Sequence, residues 1–466
     1  MSLLALVILL AQNLGLGRAY PWALLPLDLG RWVWLAVSLG LLALLAEQAG
    51  LIRLGEMWRR VGALAERALG HRAALVAMLT GSALFAVVSY NHYARFGYGF
   101  PWLHLVVLAA AAAFVGRDRF WLSCAVSLGL LAASIVHFPL AAERSATLPG
   151  LALAWDQLAT GRSPYAPLAV QGEAWTMSLL PGMFFSHAPA WVLGLDLRWN
   201  QVLWRARWML GLGVALERLP AASPWRTVAH VFVLNPYFGF RHELHGEAFL
   251  AGIAAYQAWP RWRWVLLPLL AWTHPWTWTL APFLALDWLV LRGEGAGPGT
   301  GMPRLEWSAW RAIAGQAGRL ALGTALVSAA LALALAPTTA AATMLRAVFP
   351  SAAALRFDYG LAVGPLFDML GAGDLLPYVQ WAVVAALALL ALWRGWRAPP
   401  GTNAAESVER LGLLALCAFV LFNPGFEVSD WLVPGCWILA AYVLKPATAG
   451  GKGRRAALGK PAAMQV

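Results

Sequence analysis

The sequence predicts an all-α, polytopic membrane protein with about 10–13 transmembrane helices and one interfacial helix in an outer loop. Three observations carry that expectation. The 466 residues are 61% hydrophobic and only 12% charged, with a mean hydropathy of +0.64, which is far from the usual make-up of a soluble domain. Apolar runs such as "WVWLAVSLGLLALLA" (Trp32 to Ala46), "ALVAMLTGSALFAVVSY" (Ala74 to Tyr90) and "LALGTALVSAALALALA" (Leu320 to Ala336) approach the roughly 20 residues that span a bilayer. Hydrocarbon offers backbone groups no partner, so such spans are helices rather than open strands. The arginines, finally, gather in short loops between runs, the distribution that sets orientation in a membrane.

Taken in chain order, "MSLLALVILLAQNLGLG" lacks the basic start of a signal peptide and reads as a retained first helix. Arg53, Arg59, Arg60, Arg67 and Arg72 mark an inside loop, and Arg117 and Arg119 mark the next. Residues 120–138 then cross outward and deliver the outer loop 139–176. Within that loop "LPGLALAWDQLATG" carries apolar residues at helical spacing with Asp156 on the polar side, as an interfacial helix would. A Pro-containing apolar span comes next, and Arg198, Arg205 and Arg207 read as inside markers. The stretch "RARWMLGLGVALERLP" is too charged for an easy span and reads as an inside or re-entrant helix pair. "RHELHGEAF" (Arg241 to Phe249) falls outside; Arg261 and Arg263, then Arg292, Arg304, Arg311 and Arg319, fall inside. Segments 338–376 and 423–430 are outside, Arg394, Arg397 and Arg410 inside. Residues 1–446 thus form one transmembrane domain, and 447–466 a flexible basic tail. This organisation places the chain in an inner, or plasma, membrane with both termini cytoplasmic.

Several function classes drop out. Cys124, Cys417 and Cys436 sit inside apolar runs with no disulfide or metal spacing. The net charge of +12 is explained by orientation, so no nucleic-acid partner is expected. The 27 tryptophans, in clusters such as "WPRWRW" and "WTHPWTW", suit belts at the membrane surfaces. No nucleophile elbow, zinc helix, P-loop or haem site occurs. His242 and His245 are too closely spaced for the zinc-helix pattern, so neither a metal nor a cofactor is expected. The scarcity of charge in the middle of the spans also tells against an ion or proton pathway.

Chemistry-bearing residues concentrate on one side. The outside segments hold Glu143, Asp156, Glu173, Glu243, Glu247, Asp358, Asp368, Asp374, Glu427 and Asp430, ten of the 22 acids, while the inside loops hold most of the arginine. In "RHELHGEAF", Arg241 offers a planar fork for a phosphate, and His242 and His245 can donate to its other oxygens. Glu243 and Glu247 would hold those donors or face a sugar hydroxyl.

The outer loop and the spans after it carry a resemblance. Leu158, Gly161, Ser163, Pro164 and Tyr165, then Leu180, Pro181, Pro189, Gly194, Asp196, Arg198 and Trp199, resemble motifs of membrane-embedded glycosyltransferases of the GT-C type, in the bacterial mannosyl- and arabinofuranosyltransferase-like branch. "NPYFGFRHELHGEAF" and "THPWTWTLAPF" look like later stretches of that family, and the likeness covers roughly residues 140–290. It implies transfer of a sugar from a polyprenyl-phosphate donor at the outer face. A carboxylate would deprotonate the acceptor, and cations would hold the departing phosphate. The family's loop aspartate would fall near Thr147, so the base is Glu143 or Asp156 or is missing. Arg144, Arg162, Arg241, His242 and His245 would meet the phosphate; Tyr165, Trp155 and Trp175 could stack on sugar rings. Two alternatives stand beside this expectation: a non-catalytic subunit of a membrane protein complex, and a transporter or flippase of lipid-linked substrates.

Overall fold

The computed structural model describes residues 120–137, 147–234, 247–288, 307–348, 370–397 and 404–421, apart from isolated positions within them, with scattered positions in 39–67 and at 367 and 438. These residues are mostly helical. In chain order they form α1 (Phe120–His137), α2 (Thr147–Ala159), strands β1 (Leu168–Val170) and β2 (Glu173–Trp175), α3 (Pro181–Phe185), α4 (Ala188–Val192), α5 (Trp199–Leu216) and α6 (Pro224–Val233). Next come α7 (Glu247–Ala258), α8 (Arg263–Thr273), α9 (Trp276–Leu286), α10 (Trp307–Leu335), α11 (Ala341–Val348), α12 (Leu376–Arg397) and α13 (Ala404–Leu421).

Two helical segments, Arg311–Leu335 and Gly373–Gly395, are long and apolar enough to cross a membrane. Only 11% and 22% of their most apolar windows are buried, so Leu322, Leu326, Leu333 and Leu389 stand exposed. A core helix of a soluble protein would hide such a surface. The remaining helices are shorter, and proline is one reason. Pro268 lies inside α8 and Pro282 inside α9, each an 11-residue helix. The expected apolar span after residue 176 is instead two five-residue helices, α3 and α4. Pro181 and Pro189 each occupy a first-turn position, where the missing N–H costs nothing and the chain can restart but not continue.

The stretch around Arg205 forms a helix pair, α5 followed by α6. Helix α5 runs 18 residues, antiparallel to α1. Near its start Arg198 donates to the Ile135 carbonyl, and at its end Trp121 donates to Glu217 at 3.1 Å. Between them Gly213 lets the Trp121 ring rest on the α5 backbone, leaving no room for a Cβ.

Helices α8 and α10 run parallel, with α9 returning between them. Trp264 reaches Gly323 and, further along both helices, Trp272 donates to Ser328 at 2.9 Å. Helices α12 and α13 form a hairpin in which Gln380 donates to the Phe419 carbonyl at 2.8 Å.

Two cores result. The larger joins α1, α5 to α9, α12 and α13 through residues such as Trp208, Leu212, Phe232, Ile253 and Leu416. The smaller gathers Leu148, Leu151, Trp155, Tyr165 and Phe184 with Leu335 and Val348, joining α2, the hairpin and α3 to the far end of α10 and to α11. The molecule therefore has two distinct ends. One carries α2, the hairpin, α3, α4 and the α10–α11 junction. The other carries Arg261, Arg263 and Arg319, which line a common cavity at the start of α8. Arg198 belongs to the first end and not, as its charge suggested, to the arginine end, because it is tied to the carboxyl terminus of α1.

Candidate functional site

The site with most of the sequence-predicted chemistry is the cap built on α2. Leu148, Gly150, Leu151, Ala154 and Trp155 are its buried face, and Asp156 lies on the exposed face, as the helical spacing predicted. Gly150 is obligatory: a Cβ there would meet the Trp175 ring at 2.5 Å. The helix ends at Gly161, which adopts φ +75°. Arg162 N–H bonds back to the Gln157 carbonyl at 2.8 Å and Gly161 N–H to Leu158 at 3.1 Å, the paired bonds of a Schellman ending. This closure turns the chain sharply and presents Arg162 to solvent.

Ser163 is then pinned by a 2.9 Å bond between its hydroxyl and that of Thr339. Thr339 lies just past the end of α10, so the two predicted outer loops, 139–176 and 338–376, meet at this point. The hairpin after Ser163 was not anticipated from the sequence. Its strands are three residues each, too short for an alternation to register, and only the Gln171–Gly172 pair, both at positive φ, marks the turn type that suits a two-residue connection.

The predicted residues fare differently. Asp156 accepts a long bond from Trp191 Nε1 at 3.5 Å, and its carboxylate is otherwise open among the described residues. Arg162 is exposed and, among the described residues, makes no ion pair. Tyr165 is only 1% exposed, and its hydroxyl donates to the Leu179 carbonyl at 3.0 Å, so in this conformation it braces the turn. Trp155 is sandwiched between Phe184 and Trp191, with centroid distances of 4.3 and 5.1 Å. Glu143, Arg144, Arg241, His242, Glu243 and His245 lie outside the described residues, as does the Glu247 side chain. Gly252 of α7 packs on Leu270 near the end of α8, and α8 closes with Trp272 against Gly182 of α3, so the start of α7 faces the same end.

Sequence reasoning also missed an ion pair. Asp196 and Arg198, read as parts of a motif and an inside marker, grip each other: Arg198 Nη2 lies 2.6 Å from Asp196 Oδ2, and Nε lies 2.9 Å from Oδ1. The Arg198 side chain is fully buried and Asp196 is about a quarter exposed. Two paired donors in one plane are the strong form of this interaction. Beside it Asn200 accepts from Ala190 N–H and donates to the His187 carbonyl, locking α4 to α5. Burial holds His187 neutral, its pKa lowered to about 4 from the usual 6.5, since a desolvated imidazolium is disfavoured. These groups are mechanical. No cluster of three or more metal-ligating side chains occurs among the described residues. Comparison of the chain with family models, with curated proteins and with solved structures returned no match.

Proposed function

We propose that this chain is a polytopic integral membrane glycosyltransferase that moves a sugar from a polyprenyl-phosphate donor to an acceptor hydroxyl at the outer face. The observation that supports this most is the placement of Asp156: an exposed carboxylate on a rigidly packed helix, beside the Ser163–Thr339 junction of the two predicted outer loops. In the proposed reaction Asp156 takes the acceptor hydroxyl proton, and the oxygen attacks the anomeric carbon. The bond from that carbon to the phosphate oxygen breaks, and the lipid phosphate leaves with its electron pair, held by Arg162 and by Arg241, His242 and His245. Helix α2 lies along the membrane surface in this reading, and both termini are cytoplasmic. Tyr165 and Trp155 keep α2 in position and do not touch sugar.

The test is transfer from a synthetic polyprenyl-phosphate sugar by purified protein. Asp156→Asn removes the base with little change of shape, so turnover is expected to fall by about 100-fold or more while donor affinity is kept. Arg162→Ala should weaken the donor instead.

A second reading, a non-catalytic subunit of a membrane protein complex, is favoured by the burial of Trp155 and Tyr165, two of the expected sugar-stacking rings. It is adopted if wild-type protein transfers nothing; transfer by Asp156→Asn as fast as wild type would instead remove Asp156 as the base.

A further inference from the structure

At the end of the molecule opposite α2 lies a cavity of about 300 Å³. Arg261, Arg263, Arg319 and Gln316 line it, with Trp264 and Trp288 as apolar wall. Among the described residues no carboxylate lines it. Asp287, just past the end of α9, lines a separate space of about 20 Å³ with Gln257 and Glu409. Arg263 is the instructive member. It is only 6% exposed, its Nε donates to the Tyr256 carbonyl at 3.1 Å, and its guanidinium lies 4.9 Å from the Tyr256 ring centre. These neighbours fix the plane of the fork without neutralising its charge. Burying a cation is costly unless an anion accompanies it, and Arg261 brings a second guanidinium to the same cavity.

We infer that this cavity binds the phosphate of an anionic membrane lipid. Three guanidinium forks match the tetrahedral oxygens of a phosphate. The lipid source is argued from α10. Leu322 lines the cavity, and Leu326 and Leu333 continue from it, exposed, along a helix apolar enough to cross a membrane. A headgroup seated on the arginines would lay its acyl chains along that face. The site stands apart from the sugar-transfer reading: it uses other residues, and it holds whether or not Asp156→Asn alters transfer.

The experiment is thermal unfolding of the full-length protein in detergent micelles doped with phosphatidylglycerol, with phosphatidylcholine, or with inorganic phosphate in the buffer. Phosphatidylglycerol is expected to raise Tm saturably and phosphatidylcholine is not. Arg263→Gln should raise the half-saturating lipid concentration about tenfold or more. In case Arg263→Gln folds poorly, the exposed pair Arg261→Gln with Arg319→Gln should do the same, while Arg311→Gln, outside the cavity, should titrate like wild type. The proposal is overturned if phosphatidylglycerol gives no saturable rise. It is equally overturned if the double variant titrates like wild type, if Arg311→Gln weakens binding as much, or if inorganic phosphate alone reproduces the full shift.

Discussion

The Asp196–Arg198 pair illustrates how a charged residue can mislead when only its sign is read. Arginine near an apolar run suggests a loop on the basic side of a membrane, yet here the guanidinium is fully buried and its charge is met two residues away. A turn that lets Asp196 also accept the Arg198 backbone N–H at 2.9 Å is what brings the two side chains together, and spacing alone does not reveal that turn. Removing the acid should therefore hurt more than removing both partners. Asp196→Ala leaves a buried cation and is expected to cost about 3–5 kcal/mol, whereas Asp196→Ala with Arg198→Met should be considerably milder. Urea or thermal unfolding of the two variants in micelles decides this, and equal losses would show that the pair contributes by packing alone. Tyr165 is the parallel case: its place in a motif was visible, but its burial depends on Leu168, Leu180 and other members of the small core, which converge only after folding.

At the scale of elements, long periodic segments were the readable ones. Helix α2, with Asp156 outward, came straight from the spacing of its leucines and alanines. The hairpin did not, since three-residue strands have no period to detect, and the interrupted run at α3 and α4 was misread because its hydrophobicity outweighed Pro181 and Pro189. Small residues at helix crossings carry information of another kind. Gly323 lies against the Trp264 carbonyl with no space for a Cβ, the close approach that glycine permits between apolar helices. Gly323→Leu is expected to prise α10 from α8 and lose about 2 kcal/mol or more. Gly315→Leu on the same helix, where a Cβ meets nothing within 4 Å, should be nearly neutral. A matched pair of melting curves makes the comparison, and equal destabilisation would mean that helix propensity rather than the crossing is responsible.

For the whole molecule, Arg261, Arg263 and Arg319, all expected on the inside, line one cavity, and Arg394, expected on the same side as Arg53, donates to the carbonyls of Ala49 and Gly50. Among the described residues two helices are long and apolar enough to cross a membrane, and prolines shorten others such as α8 and α9. Single cysteines test the disposition of the ends. Cysteine at Arg162 or Glu173 should react with a membrane-impermeant maleimide in intact cells, and cysteine at Arg261 or Arg311 only after permeabilisation. Labelling of Arg162 and Arg261 positions from the same side would reject two opposed faces. The parallel pairing of α8 with α10 also imposes an order on biosynthesis. Arg319 comes 56 residues after Arg263, so at about 5–20 residues per second the ribosome needs roughly 3–11 s to supply the second wall. If the inferred lipid site is real, Arg263 waits that long for its second wall, and an early-bound lipid phosphate acts as its chaperone.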